Sequence, residues 1–512
     1  MKSIRLLIRA DASVQMGTGH IMRCLAIAQA VQHNGGIVHF AAATCPKVLS
    51  DRLMKEGFRI HTVSNTPDVF NTEEDLEVTL KIAQKLKPEW ICVDGYQFGS
   101  AYQKVLKEAG YKVVFIDDFG HAEFYSADFV LNQNISAQFD WYQRRSPQTQ
   151  LLLGERYTLL RNEFMLWKRW RRSVQNTVRY ILITLGGSDS DNITAWILEA
   201  LQLVKIPSLH LTVVIGGSNP HHKSLECLAH KCIHSIKLLK DVADMPQLIA
   251  EADLAIAAGG STNWELALLG LPSLILTLAE NQSAIAQTLH EKGIVISLGH
   301  VEEVKQEDFL YQFESLCYDR QKREKMSQAG QALIDGKGCD RILAKLQEAP
   351  LRLRPVSDKD CKLIWYWSNE PTTRKASFQT ALISWEDHTQ WFQQKLQDLD
   401  CYFWIAMNEQ DQPIGQVRLE AISPQVAQIS ISIDTKYRRN GFGTHLLTLG
   451  VQTFLSQTQF LSISAWIKSD NLASCQMFEK VDFIKIGSEY RGGELAVHYQ
   501  FSRREAGECI TL

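Results

Sequence analysis

A histidine follows two closely spaced glycines, Gly17 and Gly19, shortly after the first apolar run of the chain. Such glycines permit a tight turn and a close approach of the backbone to a ligand. A helix is expected to begin at about His20, which would place its imidazole at the positive end of that helix. This field disfavours the charged ring, so His20 is a candidate neutral general base. The alternative is a histidine that only caps or packs at the helix start.

A second glycine-rich segment, Gly259-Gly260-Ser261-Thr262, lies between an apolar run and a helical pattern. Backbone amides at such a helix start bind a diphosphate without a metal ion. Glu265 lies about one turn further on, where its carboxylate can accept both hydroxyls of a ribose. The alternative is an ordinary strand-to-helix turn in which Ser261 or Thr262 caps the helix.

A third glycine-rich segment occurs near the C-terminus, where Arg438, Gly441 and Gly443 are spaced as Arg-x-x-Gly-x-Gly. It follows an alternating strand pattern that ends at Ile433 and precedes a helical pattern. Backbone amides there would cradle a pyrophosphate, and the arginine would add positive charge. The alternative is a solvated turn with surface arginines.

The elements that carry the first two segments alternate between short strands and amphipathic helices. This alternation predicts parallel sheets with right-handed crossovers, arranged as two doubly wound α/β domains with a ligand crevice between the carboxyl ends of their sheets. The strand candidates are Ile4–Arg9, Ile37–Phe40, Trp90–Asp94, Val113–Ile116 and Phe129–Leu131, then Tyr180–Leu185, Leu211–Ile215, Leu254–Ala257 and Leu274–Leu276; the helix candidates include Ile21–His33 and Tyr102–Glu108.

The pattern changes after the proline-containing segment 347–355, which is a plausible linker. Strand candidates here are Tyr402–Met407, Ile414–Leu419, Gln428–Ile433 and Leu461–Ile467, mixed with helices in an α+β arrangement. The sequence therefore predicts three domains, at residues 1–170, 171–346 and 351–505.

Composition narrows the function classes. The chain has 512 residues, of which 45% are hydrophobic and 22% charged, which is typical of a globular protein rather than a disordered one. Its 54 Lys and Arg nearly balance its 57 Asp and Glu, which argues against a nucleic-acid or polybasic membrane partner. No apolar run reaches the roughly 18–20 residues that span a bilayer. The short first apolar run is broken by Arg5 and Arg9, which favours a strand over a targeting segment.

The 11 cysteines form no Cys-x-x-Cys pair. This indicates reduced thiols, a cytoplasmic location and no structural metal site.

Several motifs in the first two domains resemble, in the same order, the UDP-sugar hydrolases of pseudaminic acid biosynthesis. The resemblance covers roughly residues 1–345. It implies a GT-B architecture, shared with the glycosyltransferase that builds the lipid II disaccharide, and hydrolysis of UDP-2,4-diacetamido-2,4,6-trideoxy-β-L-altropyranose at the anomeric carbon. The motifs are Arg9-Ala10-Asp11, Gly17–Cys24, Leu153–Arg161, Gly186–Asp189, Gly259–Glu265 and Glu280-Asn281-Gln282.

The resemblance also implies roles for individual residues. His20 would deprotonate the attacking water, and Glu265 would hold the ribose. The segment Leu238–Gln247 would supply backbone contacts to uracil, and Asp94 is a further sugar candidate with a structural alternative. The implied UDP-binding residues are Gly259, Gly260, Ser261, Thr262 and Glu265, and the implied sugar contacts are Asp11, Tyr96, Asn281 and Gln282.

The third domain resembles the GNAT N-acetyltransferases, which implies acetyl-CoA as cosubstrate. The implied acetyl-CoA contacts are Ile433, Arg438, Arg439, Gly441, Gly443, Thr444, Asn471 and Ser474. Two positions depart from the pattern, because Phe478 replaces a common tyrosine and Asp482 a common glycine. Phenylalanine cannot protonate a thiolate, so that role passes to another group, for which Tyr490 and His498 are candidates, or to solvent. Glu420 is a candidate acceptor base, and the alternative is an ordinary surface carboxylate.

Together the resemblances predict a bifunctional enzyme that acetylates the C4 amine of a UDP-linked sugar and then releases UDP from it with inversion. A GT-B glycosyltransferase and a non-catalytic sugar-nucleotide sensor with a GNAT module are the alternatives. The presence of both His20 and Glu265, beside an intact Arg-x-x-Gly-x-Gly segment, speaks against the sensor.

Overall fold

A computed structural model describes residues 4–13, 16–63, 72–187, 189–204, 206, 209–217, 219–240, 242, 244–347, 351–408, 410–438 and 441–503. The chain forms two compact units, Met1–Leu346 and Gln347–Leu512, and each is described by itself.

The first half of the first unit is a seven-stranded sheet in the order β3-β2-β1-β4-β5-β6-β7, with every pair parallel. Its strands are β1 Arg5–Ala10, β2 Ile37–Ala42, β3 Arg59–Thr62, β4 Trp90–Asp94, β5 Lys112–Ile116, β6 Phe129–Asn132 and β7 Gln150–Leu153, and its helices are α1 Gly19–His33, α2 Lys47–Lys55, α3 Thr72–Leu86, α4 Ser100–Glu108 and α5 Asn162–Met165.

The second half is a six-stranded parallel sheet in the order β10-β9-β8-β11-β12-β13. Its strands are β8 Tyr180–Thr184, β9 His210–Ile215, β10 Ser235–Lys240, β11 Leu254–Ala258, β12 Ser273–Thr277 and β13 Ile296–His300. Its helices are α6 Ile193–Leu201, α7 His222–Lys231, α8 Met245–Glu251, α9 Thr262–Leu268, α10 Glu280–Glu291, α11 Gln306–Tyr318, α12 Arg320–Leu333 and α13 Gly338–Gln347.

Both sheets are covered by helices on two faces, and their central strands are therefore largely apolar, with exceptions that include Arg9 on β1 and Asp94 at the end of β4. All five residues of β4 and of β11 are buried. In each sheet the order reverses once, between β1 and β4 and between β8 and β11. Ligands of doubly wound folds bind at the carboxyl end of such a switch point.

The last helix of the first unit, α13, returns to the first sheet. Ile342 and Leu343 pack in the same core as β1, and Trp90 Nε1 donates to the carbonyl of Leu346 at 3.1 Å. Where the chain crosses back, a Cβ at Gly338 would lie 2.1 Å from the carbonyl oxygen of Thr158, so only glycine fits. This packing ties the two halves of the unit together.

The second unit has a seven-stranded sheet in the order β14-β15-β16-β17-β18-β20-β19, in which only the β17–β18 pair is parallel. Its strands are β14 Arg352–Pro355, β15 Cys401–Met407, β16 Pro413–Ser423, β17 Val426–Ile433, β18 Ser462–Lys468, β19 Ile484–Arg491 and β20 Glu494–Ser502, and its helices are α14 Cys361–Asn369, α15 Pro371–Ala376, α16 Trp385–Gln397, α17 Phe442–Gln457 and α18 Leu472–Lys480.

The predicted fold class is confirmed: two doubly wound, Rossmann-like α/β halves precede an α+β domain with a mixed sheet. Each strand candidate overlaps an observed strand, and α1 begins at Gly19, one residue before the position expected from the sequence. The domain boundaries proposed from the sequence stay predictions. Among the described residues, no helix is long and apolar enough to cross a membrane.

Candidate active sites

His20 lies in the first turn of α1. This helix follows β1 and begins near the carboxyl edge of the first sheet. Nδ1 of His20 is 2.7 Å from Oδ1 of Asp94, the last residue of the neighbouring strand β4. Asp94 is fully buried and His20 is 7% exposed. A proton on Nδ1 donated to the carboxylate leaves the lone pair of Nε2 to act as a base, and no group among the described residues bonds Nε2.

Arg23, one turn further along α1, holds two carboxylates around the histidine. Its Nε donates to Oδ2 of Asp94 at 2.7 Å, and its Nη1 donates to Oδ1 of Asp118 at 2.7 Å. Burial works to raise the pKa of Asp94, but the neighbouring Arg23 guanidinium and His20 imidazole lower it well below its usual value. The carboxylate that orients His20 is therefore ionised at neutral pH.

Tyr96 joins this network to the second half. Its hydroxyl donates to Oδ2 of Asp118 at 2.7 Å and accepts from Nδ2 of Asn281 at 3.1 Å. The tyrosine ring meets the His20 ring edge-on, with centroids 4.9 Å apart. Burial, followed by the charge of Asp118, raises the pKa of Tyr96, so its hydroxyl keeps the proton that it donates. Two predicted sugar contacts from different halves thus meet beside the predicted base.

The Gly259-Gly260 turn connects β11 to α9 and is braced by α10. A Cβ on Gly259 would lie 2.8 Å from Cβ of Gln282, whereas one on Gly260 would meet nothing within 4 Å. The Gln282 side chain accepts from the amide of Leu278 at 3.0 Å. Its amide oxygen therefore fixes the turn before α10. Ser261 is exposed as the N-cap of α9 without a side-chain capping bond.

Glu265, on α9, forms an ion pair with Arg161, which precedes the second half. Nη2 of Arg161 donates to its Oε1 at 2.6 Å, and Arg161 also pairs with Glu163 at 2.9 Å. Burial raises the pKa of Glu265, although the charge of Arg161 opposes this. No hydrogen bond to Oε2 is formed within the part of the chain that the structure describes, which leaves that oxygen for a ligand.

Asp11 occupies a different environment from the other predicted sugar contacts. It is 3% exposed, and its two carboxylate oxygens accept hydrogen bonds from the two Nη atoms of Arg9, each at 2.8 Å. The amide of Ala43 donates to Oδ1 at 2.7 Å, and Gln97 Nε2 donates to Oδ2 at 3.0 Å. Its carboxylate therefore holds the loop before α1 and the loop after β2, and its sugar contact stays a prediction.

In the second unit, Arg438 follows β17 and is held by α15. Its Nε donates to the carbonyl of Ile433 at 2.8 Å, and its Nη2 donates to Oγ1 of Thr373 at 2.8 Å. It also bonds Thr372 and pairs with Glu370 at 3.2 Å. Arg439 lies outside the described residues.

The predicted pyrophosphate turn has the geometry that its glycines require. Gly441 adopts a φ of +81° as the N-cap of α17, and a Cβ on Gly443 would lie 2.9 Å from Sδ of Met477. Thr444 lies in the first turn of the same helix. Asn471 caps α18, where its Oδ1 accepts from the amide of Ser474 at 3.2 Å. All of these residues surround the ends of β17 and β18.

Those two strands separate toward these ends. Their parallel pairing runs only from Val426 with Ser462 to Gln428 with Ser464, although β17 continues to Ile433 and β18 to Lys468. The separation leaves main-chain groups of two strands facing a gap that a linear, amide-bearing ligand can fill.

The two departures from the GNAT pattern have structural counterparts. Phe478 is buried against Phe483, with ring centroids 4.8 Å apart. Asp482 has a φ of +62°, in the left-handed region that favours glycine. Tyr490 is 77% exposed, whereas His498 lies 2.7 Å from Ser464. Glu420 pairs with Arg418 at 2.6 Å and with Lys395 at 3.5 Å.

Sequence reasoning missed Asp118 and gave no role to Arg23 or Arg161. Asp118 comes shortly after β5, at the same sheet edge as Asp94, so the carboxyl-end rule could have found it. Asp94, considered as a sugar contact, has both oxygens engaged by His20 and Arg23. Among the described residues, no group of three or more His, Cys, Asp or Glu side chains could hold a metal ion.

Two family models match the chain. Residues 180–336 match the glycosyltransferase family 28 C-terminal domain, and residues 350–484 match the acetyltransferase (GNAT) domain.

Three relatives cover different parts of the chain. An uncharacterized protein of Methanocaldococcus jannaschii is 25% identical over 94% of this chain and 97% of its own length. The spore coat polysaccharide biosynthesis protein SpsG of Bacillus subtilis is 26% identical over 67% of this chain and 97% of its own length. The UDP-2,4-diacetamido-2,4,6-trideoxy-beta-L-altropyranose hydrolase of Campylobacter jejuni is 26% identical over 57% of this chain and 97% of its own length. The chain is therefore an enzyme that joins a part similar to nucleotide-sugar hydrolases to a GNAT domain.

Proposed function

We propose that this chain catalyses two consecutive steps on one nucleotide sugar. The GNAT domain transfers an acetyl group from acetyl-CoA to the C4 amine of a UDP-linked 4-amino-4,6-dideoxy-2-acetamido sugar. The GT-B part then hydrolyses the product, UDP-2,4-diacetamido-2,4,6-trideoxy-β-L-altropyranose, to UDP and the free sugar with inversion. The observation that carries the hydrolytic step is the 2.7 Å contact between His20 Nδ1 and Asp94, beside the Tyr96–Asn281 junction of the two halves.

The hydrolytic chemistry follows from these groups. Asp94 holds the Nδ1 proton of His20, and Nε2 takes a proton from water as the water oxygen bonds to C1 of the sugar. The bond between C1 and the phosphate oxygen breaks, and UDP leaves with the electron pair. Tyr96 and Asn281 contact the sugar, and inversion follows because water attacks opposite the leaving group.

The leaving group needs fixed positive dipoles, because negative charge grows on the diphosphate as the bond breaks. The turn formed by Gly259, Gly260, Ser261 and Thr262 supplies backbone amides for this purpose, and Oε2 of Glu265 accepts the ribose hydroxyls. Gly260 has open space around its α-carbon, which permits the close approach of a phosphate. Gln282 completes the sugar contacts, and the described backbone at residues 238–240, 242 and 244–247 completes the uracil contacts.

Acetyl-CoA occupies the gap between β17 and β18 in the GNAT domain. Its pyrophosphate lies on the amides that follow Gly441, with Arg438 adding charge, and Asn471 and Ser474 contact its arm. This is supported by the match of residues 350–484 to the GNAT model and by the early end of the β17–β18 pairing.

The test is UDP release by the full chain from the UDP-linked 4-amino sugar, with and without acetyl-CoA. Release that requires acetyl-CoA supports both steps and their order. Reaction in ¹⁸O-water should place the label in the free sugar and not in UDP, because C1–O cleavage is proposed. If the 4-amino sugar is acetylated but no UDP is released, and none is released from the UDP-linked diacetamido sugar either, hydrolysis is contradicted. That result would favour a glycosyltransferase that requires a hydroxyl acceptor. Absence of both reactions would overturn the proposal.

A further inference from the structure

A serine and a histidine meet at the point where β17 and β18 separate. Ser464 on β18 belongs to the last parallel pair with β17, and its hydroxyl lies 2.7 Å from Nε2 of His498 on β20. Ser464 is 3% exposed, whereas His498 is partly exposed. Their side chains share one face of the sheet, because His498 pairs with Trp466, two residues after Ser464.

The histidine is held rigidly on that face. Its ring stacks on Trp466 with centroids 4.0 Å apart and an interplanar angle of 11°, and the Arg491 guanidinium lies 3.6 Å from the centroid of the same indole. A ring fixed by stacking and by a hydrogen bond is positioned before any ligand arrives.

The surroundings of His498 favour its neutral form. Burial and then the charge of Arg491 lower its pKa, while Glu489 opposes them. On the strands beside it, Arg491 bonds Glu489 at 2.7 Å and Lys468 pairs with Glu494 at 3.4 Å. These charges are largely compensated in pairs.

Other candidates for acid–base work on this domain are less suitable. Glu420 is engaged by two cations, and Tyr490 is exposed to solvent. Tyr499, the neighbour of His498 along β20, points to the opposite face, is buried, and donates to Glu479 at 2.8 Å. Phe478 has no proton to give.

Helix α15 lies across the ends of the separating strands and would cover a ligand there. Arg438, which follows β17, donates to Thr373 of this helix. Lys468 is the last residue of β18, and its Nζ donates to the carbonyl of Lys375 in the same helix at 3.1 Å. A thioester in the gap is therefore enclosed between α15 and the Ser464–His498 pair, away from bulk water.

We propose that Ser464 and His498 form the proton relay of the acetyl transfer, an inference that rests on the proposed GNAT activity. The neutral amine attacks the thioester carbonyl, and the C–N bond forms as the C–S bond breaks. Ser464 Oγ takes a proton from the amine nitrogen while its own proton passes to His498 Nε2. The imidazolium returns that proton through the same hydroxyl to the departing thiolate. The products are the amide and CoA with its thiol protonated, and the pair ends unchanged.

The test compares His498→Gln and Ser464→Ala with Tyr490→Phe in the full chain, using acetyl-CoA and the UDP-linked 4-amino sugar. His498→Gln should lower kcat for acetylation by about 10²-fold or more, as expected for general-base catalysis, with KM for acetyl-CoA within about twofold. Ser464→Ala should lower kcat in the same direction, and Tyr490→Phe should match the unaltered chain. Calorimetric measurement of CoA binding verifies that the GNAT domain of each variant is folded. UDP release from the UDP-linked diacetamido sugar verifies the same for the first unit.

The pH profile separates a proton relay from a structural role. In the unaltered chain, kcat should fall on the acid side with a midpoint below about 6.5, the ordinary value for histidine, and this limb should be missing in His498→Gln. Unchanged kcat in both variants, or the same acid limb in His498→Gln, overturns the relay and leaves the acetyltransferase proposal intact. Absence of acetylation by the unaltered chain overturns both.

Discussion

The hydroxyl of Tyr96 accepts a hydrogen bond from Nδ2 of Asn281 at 3.1 Å, across the junction of the two halves of the first unit. The same hydroxyl donates to Asp118, which Arg23 connects to Asp94 and so to His20. A continuous set of hydrogen bonds therefore runs from the second half to the proposed base. The position of the second half can influence the geometry around His20 through this set.

Substitution of His20 should impair turnover more than binding. His20→Asn is expected to lower kcat for UDP release by about 10²–10⁴-fold, because the base that activates water is lost, while KM changes little. His33→Asn, at the exposed end of the same helix, is the matched control. Steady-state UDP release from the UDP-linked diacetamido sugar measures kcat and KM for both variants. Equal losses in both variants would contradict a role for His20 in the chemistry.

Asp94→Asn should destabilise the first unit, because Arg23 is buried against it. Removing one partner of a buried ion pair costs roughly 3–5 kcal/mol, although Asp118 still pairs with Arg23 and should bring the loss toward the lower end. The calorimetric transition of the first unit measures the effect. Asp51→Asn breaks an exposed pair with Lys47 and should cost less than about 1 kcal/mol.

Asp94 should also contribute to the pH dependence of stability. Its pKa in the folded chain is depressed, so the stability from its ionised form is fully present above about pH 4 and is lost as pH falls toward the folded pKa. The unaltered chain should therefore lose more of its unfolding free energy below about pH 4 than Asp94→Asn does. Denaturant titrations at several pH values compare the two slopes. A steeper loss in the variant would contradict the assignment.

Tyr96 and Asn281 should behave as a coupled pair toward the sugar nucleotide. Tyr96→Phe and Asn281→Ala should each raise KM for the diacetamido substrate, and the double variant should raise it by less than the product of the two. Contacting residues show coupling of about 0.5–3 kcal/mol in such cycles. Strictly additive effects would indicate that the contact carries no energy in the complex. Gln287→Ala, on the same helix α10, serves as the control variant.

Two neighbouring glycines should respond differently to alanine. Gly259→Ala places a Cβ 2.8 Å from that of Gln282, which has to shift, so it should lower the thermal stability of the first unit. Gly260→Ala meets nothing within 4 Å and should keep the stability of the free protein, but it should weaken UDP binding if the phosphate approaches this turn. Thermal unfolding with and without UDP distinguishes the two. Unchanged UDP binding in Gly260→Ala would contradict the proposed diphosphate position.

The sequence by itself determined the parallel α/β halves, the mixed third domain, the glycine turns and the start of the helix that carries His20. These follow from local physical rules, since apolar periodicity sets the element type and glycine permits the turns. Only the tertiary structure decided that Asp94 orients His20, that Asp11 accepts a hydrogen bond from the amide of Ala43, and that Ser464 and His498 are within hydrogen-bonding distance. Arg23 and Asp118 are 95 residues apart, and Tyr96 and Asn281 are 185 apart. Contacts over such separations depend on how sheets and helices pack, and local sequence patterns do not predict that packing.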